Sequence, residues 1–178
     1  MNRSRLVPWL MLGVWASWLA ALQGLLVAKT DLAYWVPDTL VLLLVTCAGR
    51  FQPKDVTKAA IVLAISRIAF SVEPPAAVLC GFMVTALCVR GVRSVAEVGG
   101  PLVRASVAGV GAWGVAAWLL FVHAVRDDTS FDLASLLEVM PECAGLWRVG
   151  LTTALVALFF GPAFALLPGL TPLRKKRW

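Results

Sequence analysis

The sequence has 178 residues, of which 60% are hydrophobic and only 15% charged, and its formal net charge is +6. A chain this apolar cannot present a solvated surface, which excludes an ordinary soluble enzyme or binding domain. The positive balance does not indicate nucleic acid, because the basic residues fall in short gaps between apolar runs, where they act as topology signals.

Six apolar runs stand out in chain order: Leu6 to Ala28, Tyr34 to Ala48, Val56 to Val72, Ala76 to Val89, Leu102 to Val125, and Leu146 to Leu167. A hydrocarbon core about 30 Å thick needs roughly 17 to 25 such residues per helix, so short loops leave room for about six crossings. The fold class predicted is an all-α polytopic membrane protein, one domain over residues 1–178. The first run follows a basic start, Arg3 and Arg5, as a signal peptide would. It is too long for one, since such apolar regions run about 7 to 15 residues, and Leu26 spoils a cut ahead of Lys29. Small residues recur every four positions in it, at Gly13, Ser17 and Ala21 and at Ala16, Ala20 and Gly24, which predicts a central, packed helix, whether within the monomer or against a partner.

The second, third and fourth runs are short for a full span. Pro74-Pro75 leaves almost no loop between the third and fourth, so that pair reads as a tight hairpin or a re-entrant element. Arg67 is the one charge clearly inside a run, the others lying near run ends. An intramembrane arginine is a functional-site candidate by default, yet it lies about 8 Å of helix from Glu73 and could equally snorkel to the interface or pair with that acid.

The fifth run holds Gly109-Val110-Gly111-Ala112-Trp113-Gly114, a literal GxGxxG. A dinucleotide fingerprint needs a preceding strand, which this apolar context denies. The same residues suit close helix contact: Ala105 and Gly109, and Ala108, Ala112 and Ala116, recur every four positions, making Gly109 and Ala112 candidate packing or partner-contact residues. After it comes the longest loop, with Thr129-Ser130-Phe131-Asp132 resembling a capping box, then Leu133, Leu136, Leu137 and Met140 at helical spacing before Pro141. Two readings stay open there: an amphipathic helix on the membrane surface, or a loop packed over the helix ends.

Twelve of the sixteen basic residues (Arg3, Arg5, Arg50, Lys54, Lys58, Arg90, Arg93, Arg104 and Arg174 to Arg177) collect at one set of helix ends. Positive charge is retained in the cytoplasm, so both termini of a multi-pass membrane protein are placed there. Catalysis has no candidate. His123 is the only histidine, and no Ser-His-Asp set, HExxH or Walker sequence accompanies it. The cysteines, Cys47, Cys80, Cys88 and Cys143, show no metal-ligand spacing, and the first three read as small packing residues. No cofactor and no metal are expected.

In the second run, Tyr34-Trp35-Val36-Pro37-Asp38-Thr39 followed by Leu40 to Leu44 resembles the Pro-Asp and leucine-rich helix of the rod-shape-determining protein MreD family. The six-run plan, the Leu151-Thr152-Thr153-Ala154-Leu155 helix and the basic tail Arg174 to Arg177 are also similar to that family. In the third run, Ala64-Ile65-Ser66-Arg67 departs from it, with a base where the family tends to carry an acid. The resemblance implies a non-enzymatic scaffold of the bacterial cell-elongation and peptidoglycan-synthesis machinery, with membrane lipid and an MreC-like membrane protein as partners. That family is similar in fold to the substrate-binding subunits of energy-coupling-factor vitamin transporters, which supplies an alternative function with a small-molecule ligand. Asp38, Arg67 and Glu73 are then the candidate polar residues, with Thr39, Ser71 and His123 the remaining hydrogen-bonding groups at that end.

Overall fold

A twelve-residue helix, Thr39–Arg50, runs through the centre of the molecule with every residue from Leu40 to Ala48 buried. Its sequence explains its place: Leu-Val-Leu-Leu-Leu-Val-Thr-Cys-Ala is apolar on all sides, so no face of it needs solvent. Even Thr46 is spent internally, its hydroxyl donating to the Leu42 and Leu43 carbonyls at 3.0 Å. The computed structural model describes residues 6–29, 35–95, 100–127, 145–164 and 166–170.

Among those residues there are six helices and no strand. In chain order they are α1 (Leu6–Lys29), the central α2 (Thr39–Arg50), α3 (Pro53–Phe70), α4 (Pro75–Val95), α5 (Pro101–Asp127) and α6 (Trp147–Phe164). The other five all touch α2. α1, α4, α5 and α6 are long and apolar enough to cross a membrane. At 1.5 Å per residue α2 is only about 18 Å long, well short of a hydrocarbon core. Successive helices alternate in direction. Gln23, late in α1, meets Thr39 at the start of α2; Arg67, late in α3, meets Asp38; Trp118, late in α5, donates to the Ala77 carbonyl early in α4 at 2.9 Å. The bundle therefore has an Asp38 end and an Arg50 end.

Several expected boundaries move. The second run becomes helical only at Thr39, because Asp38 takes the N-cap position, extended and with its carboxylate accepting from the Val41 N–H. Proline at the first helical position starts both α3 and α4, where its missing N–H costs nothing and its fixed φ is already helical. α4 continues past Val89 to Val95, carrying Arg90 and Arg93 on the helix, and residues 71–74 make the tight hairpin between α3 and α4. Pro162 lies inside α6, and the chain after that helix turns back so that the Pro168 carbonyl accepts from the Trp15 indole at 3.2 Å.

The expectation that the first helix is central is corrected. α1 buries only Pro8, Leu12, Ala16 and Ala20, while Val7, Leu10, Val14, Trp18, Leu22 and Leu25 stand exposed along its other side. Of its two small-residue series, Ala16 and Ala20 face inward, whereas Ala21 and Gly24 are exposed. Small residues mark where a helix can approach closely, not that it does. In α5 the predicted series does face the core: Ala105, Ala108 and Ala112 are buried with Val115 and Leu119. Gly109 packs on Gly150 and Ala154 of α6, in the most extensive helix pairing of the bundle. The GxGxxG stretch is thus mid-helix, with no strand or loop beside it.

Candidate functional site

The short α2 creates a chemical problem at each of its ends. Its first N–H groups and last carbonyls lie inside the bundle, and a helix end buried without partners costs the desolvation of every orphaned group. Polar side chains from four other helices meet this need, and they form the polar clusters of the molecule.

At the Asp38 end, Asp38 Oδ1 accepts from the Val41 N–H at 3.0 Å, while its own N–H donates to Thr153 Oγ1 of α6 at 2.8 Å. The Thr39 N–H and hydroxyl both donate to Gln23 Oε1 of α1, at 3.2 and 3.0 Å. Arg67 of α3 then binds two acids at once. Its Nη1 donates to Asp38 Oδ2, and its Nε and Nη2 grip the Glu73 carboxylate in a two-point fork at 2.8 and 3.0 Å. The Arg67, Asp38 and Glu73 side chains are 16%, 4% and 20% exposed, so the ions are shielded and each leans on the others rather than on solvent. The three residues singled out from sequence therefore share one cluster, and Arg67 turns inward to Asp38 as well as to Glu73.

Two members of this cluster escaped the sequence reading. Gln23 is the only carboxamide in the apolar run Leu6 to Ala28, and an isolated amide there must find a partner; that was the available signal. Thr153 offered none, since neighbouring Thr152 has the same composition and context. Beside the cluster lies a cavity of about 200 Å³ bounded by Gln23, Val27, Arg67, Phe70, Ser71 and Glu73. The buried Ser71 hydroxyl oxygen makes no hydrogen bond within the described residues. His123, half-buried late in α5, is not among the groups lining it.

At the other end, Arg93 of α4 reaches over the last turn of α2 and donates through Nη1 to the Ala48 and Phe51 carbonyls, both at 2.7 Å. A cation suits a helix C-terminus, where unpaired carbonyls concentrate negative potential. Arg104 of α5 is likewise buried, its Nε donating to the Ala157 carbonyl of α6 at 3.1 Å across Gly161. Both arginines read from sequence only as topology charges.

The remaining candidates sit apart from the cluster. Gly109 and Ala112 are inside the bundle, on the buried face of α5. Leu133, Leu136, Leu137 and Met140, like Cys143, lie outside the described residues. Cys47 is buried in α2, but Cys80 and Cys88 are exposed on α4, lining an apolar groove of about 500 Å³ between α4 and α5. No group of three His, Cys, Asp or Glu side chains able to hold a metal occurs among the described residues. No protein-family profile, curated protein or solved structure matches the chain.

Proposed function

We propose that the protein is a non-enzymatic scaffold of a bacterial inner membrane, its six-helix bundle set in that membrane with both termini in the cytoplasm and holding partner membrane proteins of the cell-elongation machinery. The carrying observation is that the polar groups converging at the Asp38 end are consumed by one another. Asp38, Thr39, Gln23, Thr153, Arg67 and Glu73 satisfy the start of α2, and the single cation Arg67 is engaged by both acids at once, so no polar group of the set is left for a ligand. A ligand site needs polar groups left over and room to use them, and small-molecule pockets run to about 300 Å³ or more. The adjoining cavity is smaller than that, at about 200 Å³. The link to cell elongation rests on the resemblance of the Pro37-Asp38 and leucine-rich second helix to the MreD family.

A second reading, the substrate-binding subunit of a vitamin-type transporter, draws support from the unpartnered Ser71 hydroxyl beside that cavity. One comparison separates them. The scaffold, purified from native membranes in mild detergent, brings membrane proteins of the elongation machinery with it, and its loss alters cell shape. Stoichiometric retention of a vitamin-sized molecule, released by Arg67→Ala, would establish the transporter reading instead. Topology is tested in a cysteine-free background: an external thiol reagent labels Arg126→Cys and spares Lys54→Cys, and the reverse pattern inverts the orientation.

A further inference from the structure

At the Arg50 end the described residues carry Arg50, Lys54, Lys58, Arg90, Arg93 and Arg104 against a single acid, Asp55, which is already engaged by Lys58 at 3.8 Å. Within this excess of positive charge the last two turns of α4 and the first residue of α3 enclose a groove of about 560 Å³, lined by Pro53, Leu87, Arg90, Gly91, Arg93 and Ser94. Gly91 borders open space, since a Cβ placed there would meet nothing within 4 Å. Arg93 is committed to the α2 carbonyls, but Arg90 is exposed and forms no ion pair among the described residues. One and two turns along the same side of α4, Leu87 and Val84 are 56% and 53% exposed, so the basic groove opens directly onto an apolar wall.

We propose that this groove seats the phosphate headgroup of an anionic phospholipid, with Arg90 as its charge partner and an acyl chain laid over Leu87 and Val84. The charge favours an anionic ligand, because the lining among the described residues carries two arginines and no acid. A hydrocarbon chain suits it as well, because exposed Leu87 and Val84 continue the groove along α4 toward the middle of a helix long and apolar enough to cross a membrane. Basic pockets between membrane helices recognise acidic headgroups by this combination. The inference requires the bundle to be in a membrane and is independent of the scaffold reading.

The test uses the full-length protein, delipidated in detergent, offered equal phosphatidylglycerol and phosphatidylcholine and weighed by native mass spectrometry with its bound lipid. The parent retains phosphatidylglycerol preferentially. Arg90→Gln lowers that preference about fivefold, the effect of removing one basic group near an anionic surface. Gly91→Leu lowers it comparably by filling the groove with charge intact, and Arg126→Gln at the opposite end leaves it unchanged. Because Arg90 and Gly91 are exposed, both variants keep the parent's melting temperature, which is measured alongside. A preference lost in Arg90→Gln but kept in Gly91→Leu would reveal diffuse surface attraction and overturn the seat, as would full displacement by millimolar inorganic phosphate.

Discussion

Gly109 and Gly150 press backbone against backbone where α5 crosses α6. A Cβ built on Gly109 would stand 2.9 Å from the Gly150 carbonyl oxygen, and one built on Gly150 would stand 2.8 Å from the Gly109 carbonyl oxygen. Helices in lipid gain nothing from hiding apolar surface, so their association depends on dispersion contact, and contact this close is open only to glycine. Gly109→Ala should therefore push the helices apart at a cost of about 1–3 kcal/mol, the range for overpacking a tight interior. Thermal unfolding in detergent measures it, with Gly114→Ala as the control, since nothing lies within 4 Å of a Cβ there. Equal losses in the two variants would mean that the crossing is not close-packed.

Arg67 carries the charge balance of the Asp38 end, so its loss is more damaging than the loss of the whole set. Arg67→Met leaves two shielded carboxylates without a cation, and breaking a buried pair in this way costs about 3–5 kcal/mol. In the triple variant Arg67→Met, Asp38→Asn, Glu73→Gln no charge remains uncompensated, and Asn still caps α2. The triple variant should recover at least half of the lost stability in a denaturant titration. A triple variant less stable than Arg67→Met would show that the ion pairs themselves supply net stability.

Thr153 and Thr152 are adjacent and chemically identical but do different work. Both hydroxyls donate back to carbonyls of their own helix, yet only Thr153 Oγ1 also accepts from the Asp38 N–H. Thr153→Val keeps the shape and orphans that buried donor, at about 1–3 kcal/mol. Thr152→Val should fall within about 0.5 kcal/mol of the parent, as surface changes do. Hydrogen exchange at the Asp38 amide gives a direct reading: it should quicken in the Thr153 variant alone.

What could be read from the sequence follows from which forces leave a local imprint. Apolar runs report burial against lipid or protein, so the helices α1 and α4 to α6 were visible, and Pro74-Pro75 marked the hairpin. Arg67 and Glu73, six residues apart, were legible as a pair because α3 ends at Phe70 and the short hairpin that follows keeps Glu73 within reach of the arginine. Contacts between distant segments leave no such imprint. Nothing local to Thr153 speaks of Asp38, 115 residues away, and nothing in Arg93 distinguishes a helix-capping arginine from a topology charge. The exposure of α1 was hidden for a related reason: a lipid-facing surface and a packed one are both apolar, so hydrophobicity cannot rank helices from centre to rim.

Arg104 and Gly161 illustrate that last point, and they yield a coupling that can be measured. The Arg104 side chain crosses the backbone of α6 directly over Gly161, close enough that a Cβ at 161 would overlap its guanidinium Nε. The same Nε donates to the Ala157 carbonyl one turn earlier. Gly161→Ala must displace the arginine from that acceptor, and a buried guanidinium forced off its partner costs about 1–3 kcal/mol or more. Arg104→Met removes both the hydrogen bond and the obstruction. In the Arg104→Met background, the alanine should therefore be tolerated and even favoured, since glycine inside a helix is about 0.5–1 kcal/mol worse than alanine. The two substitutions should be non-additive by at least about 1 kcal/mol, as expected of residues in contact. Additive losses around the cycle would mean that Arg104 swings clear of Gly161 at no cost, and that the glycine is there for another reason.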